Sequence, residues 1–357
     1  MEKIRFGVIG AGGIADRRTI PGMKLARNAE LTAVMELNPA VAEQLRVKHG
    51  AKRAYNDAAA LLADPEVDAV YIASPVVTHA ELTRQAAAAG KHILLEKPIA
   101  MTCREGKELL DFCASCGVQA AAGFMMRFGT QIMNMKRAIA EGRIGKVVSG
   151  YSQFTLWLPE QEGNWRQIRA KSGGGPLMDM GVHCIDLIEY VSGMRIRRVG
   201  GFNKTISFRY DVEDTSTVML ELENGAQCVV QTNFNIPDEV AKWRLEFFGM
   251  QGRLLGENII GQNDGGTVNA IFLEGSREYD PQQDHADLQG EMLGGEFGNM
   301  YTREIESFAD SLLNGTPLEV PARDALHVQH VIELAYRSSQ ENRIFEVDDL
   351  KKNSWTG

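Results

Sequence analysis

Lys97 follows Glu96 at the end of an apolar run, His92-Ile-Leu-Leu95, and is followed by Pro98. A lysine at a strand end can hydrogen-bond a substrate hydroxyl and stabilise oxyanion character developing on it. Far along the chain, Asp179 and His183 stand four positions apart, after Gly173-Gly-Gly175 and Pro176. Pro176 suits a helix start. On a helix, the i, i+4 spacing puts the carboxylate and the imidazole on one face, and Asp186 and Glu189 continue near it. An imidazole near its ordinary pKa takes a hydroxyl proton close to neutral pH, and a neighbouring carboxylate orients it. Taken singly, each group has a plainer reading, because strand-end lysines are usually solvated. The glycine run, the helix start and the carboxylate one turn away favour chemistry.

A second constellation lies at the start. Gly10-Ala11-Gly12-Gly13-Ile14-Ala15 fits Gly-x-Gly-x-x-Gly/Ala, directly after an apolar run and at the opening of a helical stretch. The first glycine permits a tight turn, the second lets a pyrophosphate approach the backbone, and the small third residue lets helix and strand pack closely. The helix N-terminus then faces the phosphates with free N–H groups. Glu36 ends the second strand-like run, where a carboxylate accepts hydrogen bonds from ribose hydroxyls and repels a 2′-phosphate. Leu37 supplies no arginine for such a phosphate. The expected cofactor is NAD, with NADP disfavoured and no metal ion.

Regular elements must position these groups. Strand-like runs at 4–9, 30–36, 68–73, 92–95 and 118–122 alternate with helical runs at 40–49, 58–63, 79–89 and 103–116. Alternation of this kind predicts an α/β Rossmann domain with a doubly wound parallel sheet. Pro21-Gly22 is expected to break the first helix. Beyond residue 123, strand-like runs follow one another at 147–157, 197–208, 214–223, 226–236 and 243–249, with a hairpin at Asn224-Gly225. Helices are expected at 176–192, 300–314 and 322–341. The pattern predicts an α+β domain with a large open, mostly antiparallel sheet. The expected division is 1–122 and 123–357. The stretch 256–299, rich in Gly, Asn, Asp and Gln, is expected to form long loops around one or two strands.

Composition narrows the partners. The chain has 357 residues, 44% hydrophobic and 24% charged, which suits about two globular domains. A formal charge of −9 argues against a nucleic-acid backbone as main partner. No apolar run is long enough to span a membrane. The five cysteines are scattered, and the start of the chain has no signal-peptide pattern, so a reduced, cytoplasmic protein is expected. Cys113-Ala-Ser-Cys116 reads as two small packed thiols.

Five segments in one order carry a specific resemblance: the Gly10–Ala15 turn, Ile72-Ala-Ser-Pro-Val-Val-Thr-His79, Leu95-Glu-Lys-Pro98, Gly123-Phe-Met-Met-Arg127-Phe, and the glycine run with Asp179, His183 and Asp186. Together they resemble the glucose–fructose oxidoreductase / inositol dehydrogenase / MocA (Gfo/Idh/MocA) family, over nearly the whole chain. The resemblance implies a nicotinamide cofactor and a sugar, polyol or inositol substrate. It implies a catalytic triad of Lys97, Asp179 and His183, with His183 as acid/base. It also implies that Ser74, Pro75, His79, Glu96 and Arg127 surround the cofactor, with Arg127 also near substrate. Val76 and Met126 depart from the residues common in the family, Asn and Arg. Homodimers or homotetramers, packed through the open sheet face, are the implied assembly.

The leading expectation is reversible oxidation of a secondary alcohol. Asn164, Trp165 and Arg166 are candidates to meet the hydroxyl edges and apolar faces of a sugar, and Trp157 is a weaker one. A redox-neutral enzyme that cleaves a glycoside through transient oxidation is the alternative, with 256–299 shaping a larger site. A non-enzymatic sugar or NAD sensor is disfavoured because Lys97 and His183 are both present.

Overall fold

The computed structural model describes residues 2–275, 279, 281 and 288–347. Strands β1 (Ile4–Ile9), β2 (Ala29–Met35), β3 (Arg53–Tyr55), β4 (Ala69–Ile72), β5 (His92–Leu95) and β6 (Ala120–Ala122) form a parallel sheet in the order β3-β2-β1-β4-β5-β6. β1 and β4 are buried almost throughout, as strands with helices on both faces must be. The helices are α1 (Ile20–Leu25), α2 (Pro39–His49), α3 (Ala58–Leu62), α4 (His79–Ala88) and α5 (Cys103–Ser115). The strand order reverses between β1 and β4, which opens a crevice at their carboxyl ends.

Pro21 and Gly22 do not break the first helix. Pro21 sits in the first turn of α1, where its missing N–H leaves nothing unpaired. A Cβ on Gly22 would lie 2.8 Å from Tyr301 Cβ, so the glycine serves close helix packing.

The rest of the chain contributes α6 (Thr130–Ala140), β7 (Val147–Thr155), α7 (Arg169–Ser172), α8 (Val182–Ser192), β8 (Ile196–Lys204), β9 (Thr215–Leu222), β10 (Gln227–Asn233), β11 (Arg244–Gly249), β12 (Gly252–Glu257), β13 (Thr267–Phe272), β14 (Glu291–Met292), α9 (Met300–Asn314), α10 (Ala322–Glu341) and β15 (Phe345–Glu346). The strands form one sheet, β14-β13-β12-β11-β7-β10-β9-β8-β15, in which β7 and β10 run parallel and the other described pairs antiparallel. Alternation on β9 is regular: Ser216, Val218, Leu220 and Leu222 are buried, while Met219 on the opposite face is exposed. The hairpin at Asn224-Gly225 joins β9 to β10, with Asn224 Oδ1 accepting from the Ala226 N–H at 2.8 Å. Within 256–299 lie the end of β12, β13 and the short β14, joined by loops, and residues 276–278, 280 and 282–287 of that stretch lie outside the described residues. Helix α6 was not among the expected elements.

The first sheet does not end its packing at residue 122. Helix α9 returns to it: Ile305, Phe308 and Ala309 join the core around Phe6 and Val8, with the Phe308 and Phe6 rings 6.1 Å apart. Pro321 bridges to Ala121, and the Ala122 N–H donates to Val320 O at 3.0 Å. A stretch after residue 299 is therefore packed with the first sheet, because β1 and β2 have an apolar face that α1 alone does not cover.

Candidate active site

The glycine turn follows β1 at the crevice. Gly10 has φ +75°, and a Cβ there would fall 2.8 Å from the Ser74 backbone nitrogen. Only glycine fits this contact with the end of β4. Gly13 is exposed, and a Cβ on it would meet nothing within 4 Å, so the turn leaves open space beside its backbone. Ala11 is fully buried and Ile14 half-buried. The chain then enters a π-turn, Ala15–Thr19, before α1. Glu36 Oε1 accepts the Gly12 N–H at 2.7 Å. One carboxylate oxygen thus braces the turn. Leu37 beside it is 80% exposed. The glycine turn, its open side and the carboxylate at the end of β2 fit a dinucleotide without a 2′-phosphate.

The next strand end carries Ser74 and Pro75, half-buried and exposed respectively. His79 was expected beside the cofactor, but its ring has other partners. Nδ1 lies 2.8 Å from Pro98 O and Nε2 lies 2.8 Å from Ser74 O, so the imidazole ties two strand-end loops together. Glu96 is likewise turned inward. Its Oε1 accepts from the Tyr71 hydroxyl and its Oε2 from the Lys97 N–H. Burial raises its carboxyl above the ordinary value. Both side chains are hydrogen-bonded to other parts of the protein.

Lys97, at the end of β5, reaches across to the other domain. Its Nζ donates to Asp179 O at 2.7 Å and to Asp179 Oδ1 at 3.0 Å. Asp179 lies in a second π-turn, Leu177–Gly181, which leads into α8 and its second residue, His183. Such turns widen the helix locally and often occur at functional positions. Arg166 approaches from the other side, with Nε 3.2 Å from Asp179 Oδ2. Burial opposes the Asp179 charge, but Lys97 and Arg166 hold its carboxyl well below the usual carboxylate range. His183 is 4% exposed, with Phe124 edge-on to its ring at 5.9 Å. Burial, reinforced by Lys97, pushes the imidazole well below its ordinary value, so it is neutral at neutral pH. Its Nδ1 is buried and has no hydrogen-bond partner among the described residues.

Arg127 departs from its expected place. Its guanidinium is 6% exposed and clamps Asp186 through Nε, at 3.0 Å to both carboxylate oxygens, and Asp324 through Nη1 at 3.1 Å. Its Cζ lies 5.7 Å from the Phe124 ring centroid and 4.9 Å from that of Tyr190. Burial works against this cation, and Asp186 and Asp324 outweigh it, raising its pKa. A buried guanidinium stripped of these carboxylates would be costly, so the Arg127 side chain is held by Asp186 and Asp324.

Two of the three glycines before Asp179 have a packing reason that the sequence does not display. A Cβ on Gly174 would fall 2.1 Å from Tyr336 Oη, and one on Gly175 would fall 1.9 Å from Glu213 O. Glu213 Oε1 accepts the Gly175 and Leu177 N–H groups at 3.0 and 3.2 Å and the Tyr336 hydroxyl at 2.6 Å. This buried carboxylate satisfies two of the free donors at the head of the turn that leads into α8. Asn164 caps a single turn, Trp165–Gln167, which holds Trp165 half-buried and Arg166 above Asp179. Trp157 is 43% exposed and edge-on to Phe208 at 5.6 Å.

Known proteins match along this layout. Residues 4–124 match the family described as "Oxidoreductase family, NAD-binding Rossmann fold", and residues 132–255 match the "GFO/IDH/MocA C-terminal domain". The chain belongs to the Gfo/Idh/MocA oxidoreductase family and carries its NAD-binding Rossmann domain. It is 30% identical over 280 residues to a 1,5-anhydro-D-fructose reductase of Ensifer adhaerens, covering 77% of this chain and 82% of that one. It is 26% identical over 354 residues to a myo-inositol 2-dehydrogenase of Thermotoga maritima, covering 97% and 99%. A solved levoglucosan dehydrogenase, in complex with NADH and levoglucosan, superimposes with a TM-score of 0.85 at 22% identity, over 98% of this chain and all of that one. Among the described residues, no helix is long and apolar enough to cross a membrane.

Proposed function

We propose that the protein is an NAD-dependent dehydrogenase or reductase acting on a secondary alcohol of a sugar, polyol or inositol. The observation that carries this reading is the junction of Lys97, Asp179 and a neutral His183 at the crevice of an NAD-binding sheet. The glycine turn Gly10–Ile14 would hold the pyrophosphate, and the second oxygen of Glu36 the adenosine ribose, with Ser74 and Pro75 at the next strand end. When bound, the nicotinamide accepts or returns a hydride.

The chain's own groups then divide the proton chemistry. Two of the three ammonium N–H groups of Lys97 are engaged by Asp179, which leaves one for the substrate oxygen. That donor stabilises charge as it gathers on the oxygen. His183 Nε2 takes the hydroxyl proton during oxidation and gives it back during reduction. Asp179 keeps the lysine in place through its ion pair, while Phe124, edge-on to the ring, packs against the histidine. Asn164 and Trp165 flank the substrate, offering a polar edge and an aromatic face.

The exposed face of the second sheet, with Val148, Phe202, Met219 and Phe248, is the surface through which a second copy would pack. A reduced cytoplasmic setting is part of the same reading.

A panel of inositols, aldoses, ketoses and glycosides, followed by NADH absorbance at both directions of reaction, tests the function. Oxidation of at least one cyclitol or sugar with matching NADH is the expected result. Release of sugar with no net NADH, or no reaction with either cofactor, overturns it. Light scattering at micromolar concentration tests the assembly, and a monomer contradicts it.

A further inference from the structure

Asp179 carries a second cation that the proton chemistry above does not use. Arg166 Nε donates to Oδ2 while Lys97 occupies Oδ1. The arginine is restrained in two further ways. Its backbone N–H is bound by Asn164 Oδ1 at 3.1 Å, and its guanidinium lies over the Trp165 ring with Cζ 4.5 Å from the centroid. Among the described residues, Nη1 and Nη2 hold no hydrogen bond, and the side chain is 39% exposed. An exposed arginine normally roams through many rotamers. This one is fixed against the triad carboxylate, so its free donors sit at a set position relative to the reacting group. Lys97 is assigned to the reacting oxygen, so the free amino groups of an arginine held against the same carboxylate are placed to donate to an oxygen on the neighbouring atom. Two cations against one carboxylate also leave a net positive charge, which favours an oxygen-rich ligand.

We infer that Arg166 binds the substrate directly, through Nη1 and Nη2, at the hydroxyl on the carbon next to the one oxidised. The enzyme thereby selects vicinal diols over isolated alcohols. This inference rests on the alcohol-oxidation reading of the same site.

The test compares each panel compound that yields NADH with its two deoxy analogues, each lacking one hydroxyl next to the oxidised carbon. Wild type, Arg166→Gln and Arg166→Lys are measured by kcat/KM. Quenching of bound NADH fluorescence measures binding of the same compounds independently of turnover. Wild type is expected to lose about tenfold to a hundredfold on removal of the adjacent hydroxyl, the range for a hydrogen bond to a charged group. Arg166→Gln is expected to lose as much on the full substrate and little further on that deoxy analogue. Arg166→Lys keeps a cation beside Asp179, so its pH profile stays like wild type while the diol preference shrinks. Equal losses by Arg166→Gln on full and deoxy compounds overturn the inference and leave the alcohol-oxidation reading standing. Binding of diols without any turnover sinks the alcohol-oxidation reading, and the inference that rests on it falls with it. Absence of both turnover and binding sinks both.

Discussion

The Asp179 carboxylate stands 3.0 Å from the Lys97 ammonium, so one ion pair closes the seam between the end of β5 and the turn that opens α8. The proposed catalytic unit therefore draws on residues from both sheets' halves of the chain. Lys97→Ala and His183→Ala are each expected to lower turnover by about a hundredfold to ten-thousandfold, the range for loss of a positioned acid–base group. NADH binding, read by fluorescence, should survive in both, because the glycine turn is untouched. Near-normal turnover in either variant with the true substrate contradicts the assigned roles.

His183 also makes folding depend on pH. In the fold its pKa is depressed by burial, whereas the unfolded chain takes a proton below about pH 6.5. Its contribution is therefore fully present above that value and is lost as pH falls, at about 1.4 kcal/mol per pH unit. His183→Gln should flatten the dependence of unfolding free energy between about pH 6.5 and 5 by that slope. Urea denaturation across the range measures it, and an unchanged slope shows that the imidazole is not held neutral.

Glu36 links cofactor choice to the turn it braces. Glu36→Ser removes the charge that would oppose a 2′-phosphate and the acceptor of the Gly12 N–H. NADH affinity is expected to fall about tenfold or more, and the preference for NADH over NADPH to shrink. Fluorescence titration with both cofactors checks this, and an unaltered ratio removes Glu36 from the recognition of the ribose.

Arg127 is expected to behave as a structural ion. Arg127→Ala leaves Asp186 buried without its partner and should cost about 3–5 kcal/mol of stability. The double variant with Asp186→Ala should recover part of that loss. Chemical denaturation of the three variants measures the coupling, and simple additivity contradicts a clamp.

Legibility in the sequence followed the range of the interactions. Strand β1, the Gly10 turn and Glu36 are local patterns, and the alternation that predicts the first sheet needs no distant contact. Likewise the Asn224-Gly225 hairpin is a two-strand signal, and it forms. The ion pairs of Arg127 left no local sign because its partners Asp186 and Asp324 lie 59 and 197 positions away. Glu213 gave no signal for a similar reason, since it meets Gly175 across 38 positions. His79 looked available because nothing nearby in sequence reveals that its second partner is Pro98 O. Helix α6 hid behind a run rich in polar residues and methionine, whose buried side, Ile132, Met135 and Ala138, is legible only once the second domain supplies a partner.

The return of α9 to the first sheet fixes an order of events during synthesis. Phe6 leaves the ribosome about three hundred residues before its neighbours Ile305 and Phe308. Until then one flank of β1 and β2 has only part of its cover, so the nucleotide half matures after most of the substrate half has been made. A fragment ending at residue 124 inherits that bare flank permanently and is expected to aggregate, whereas one that rejoins 300–321 through a short linker is expected to remain monodisperse by gel filtration.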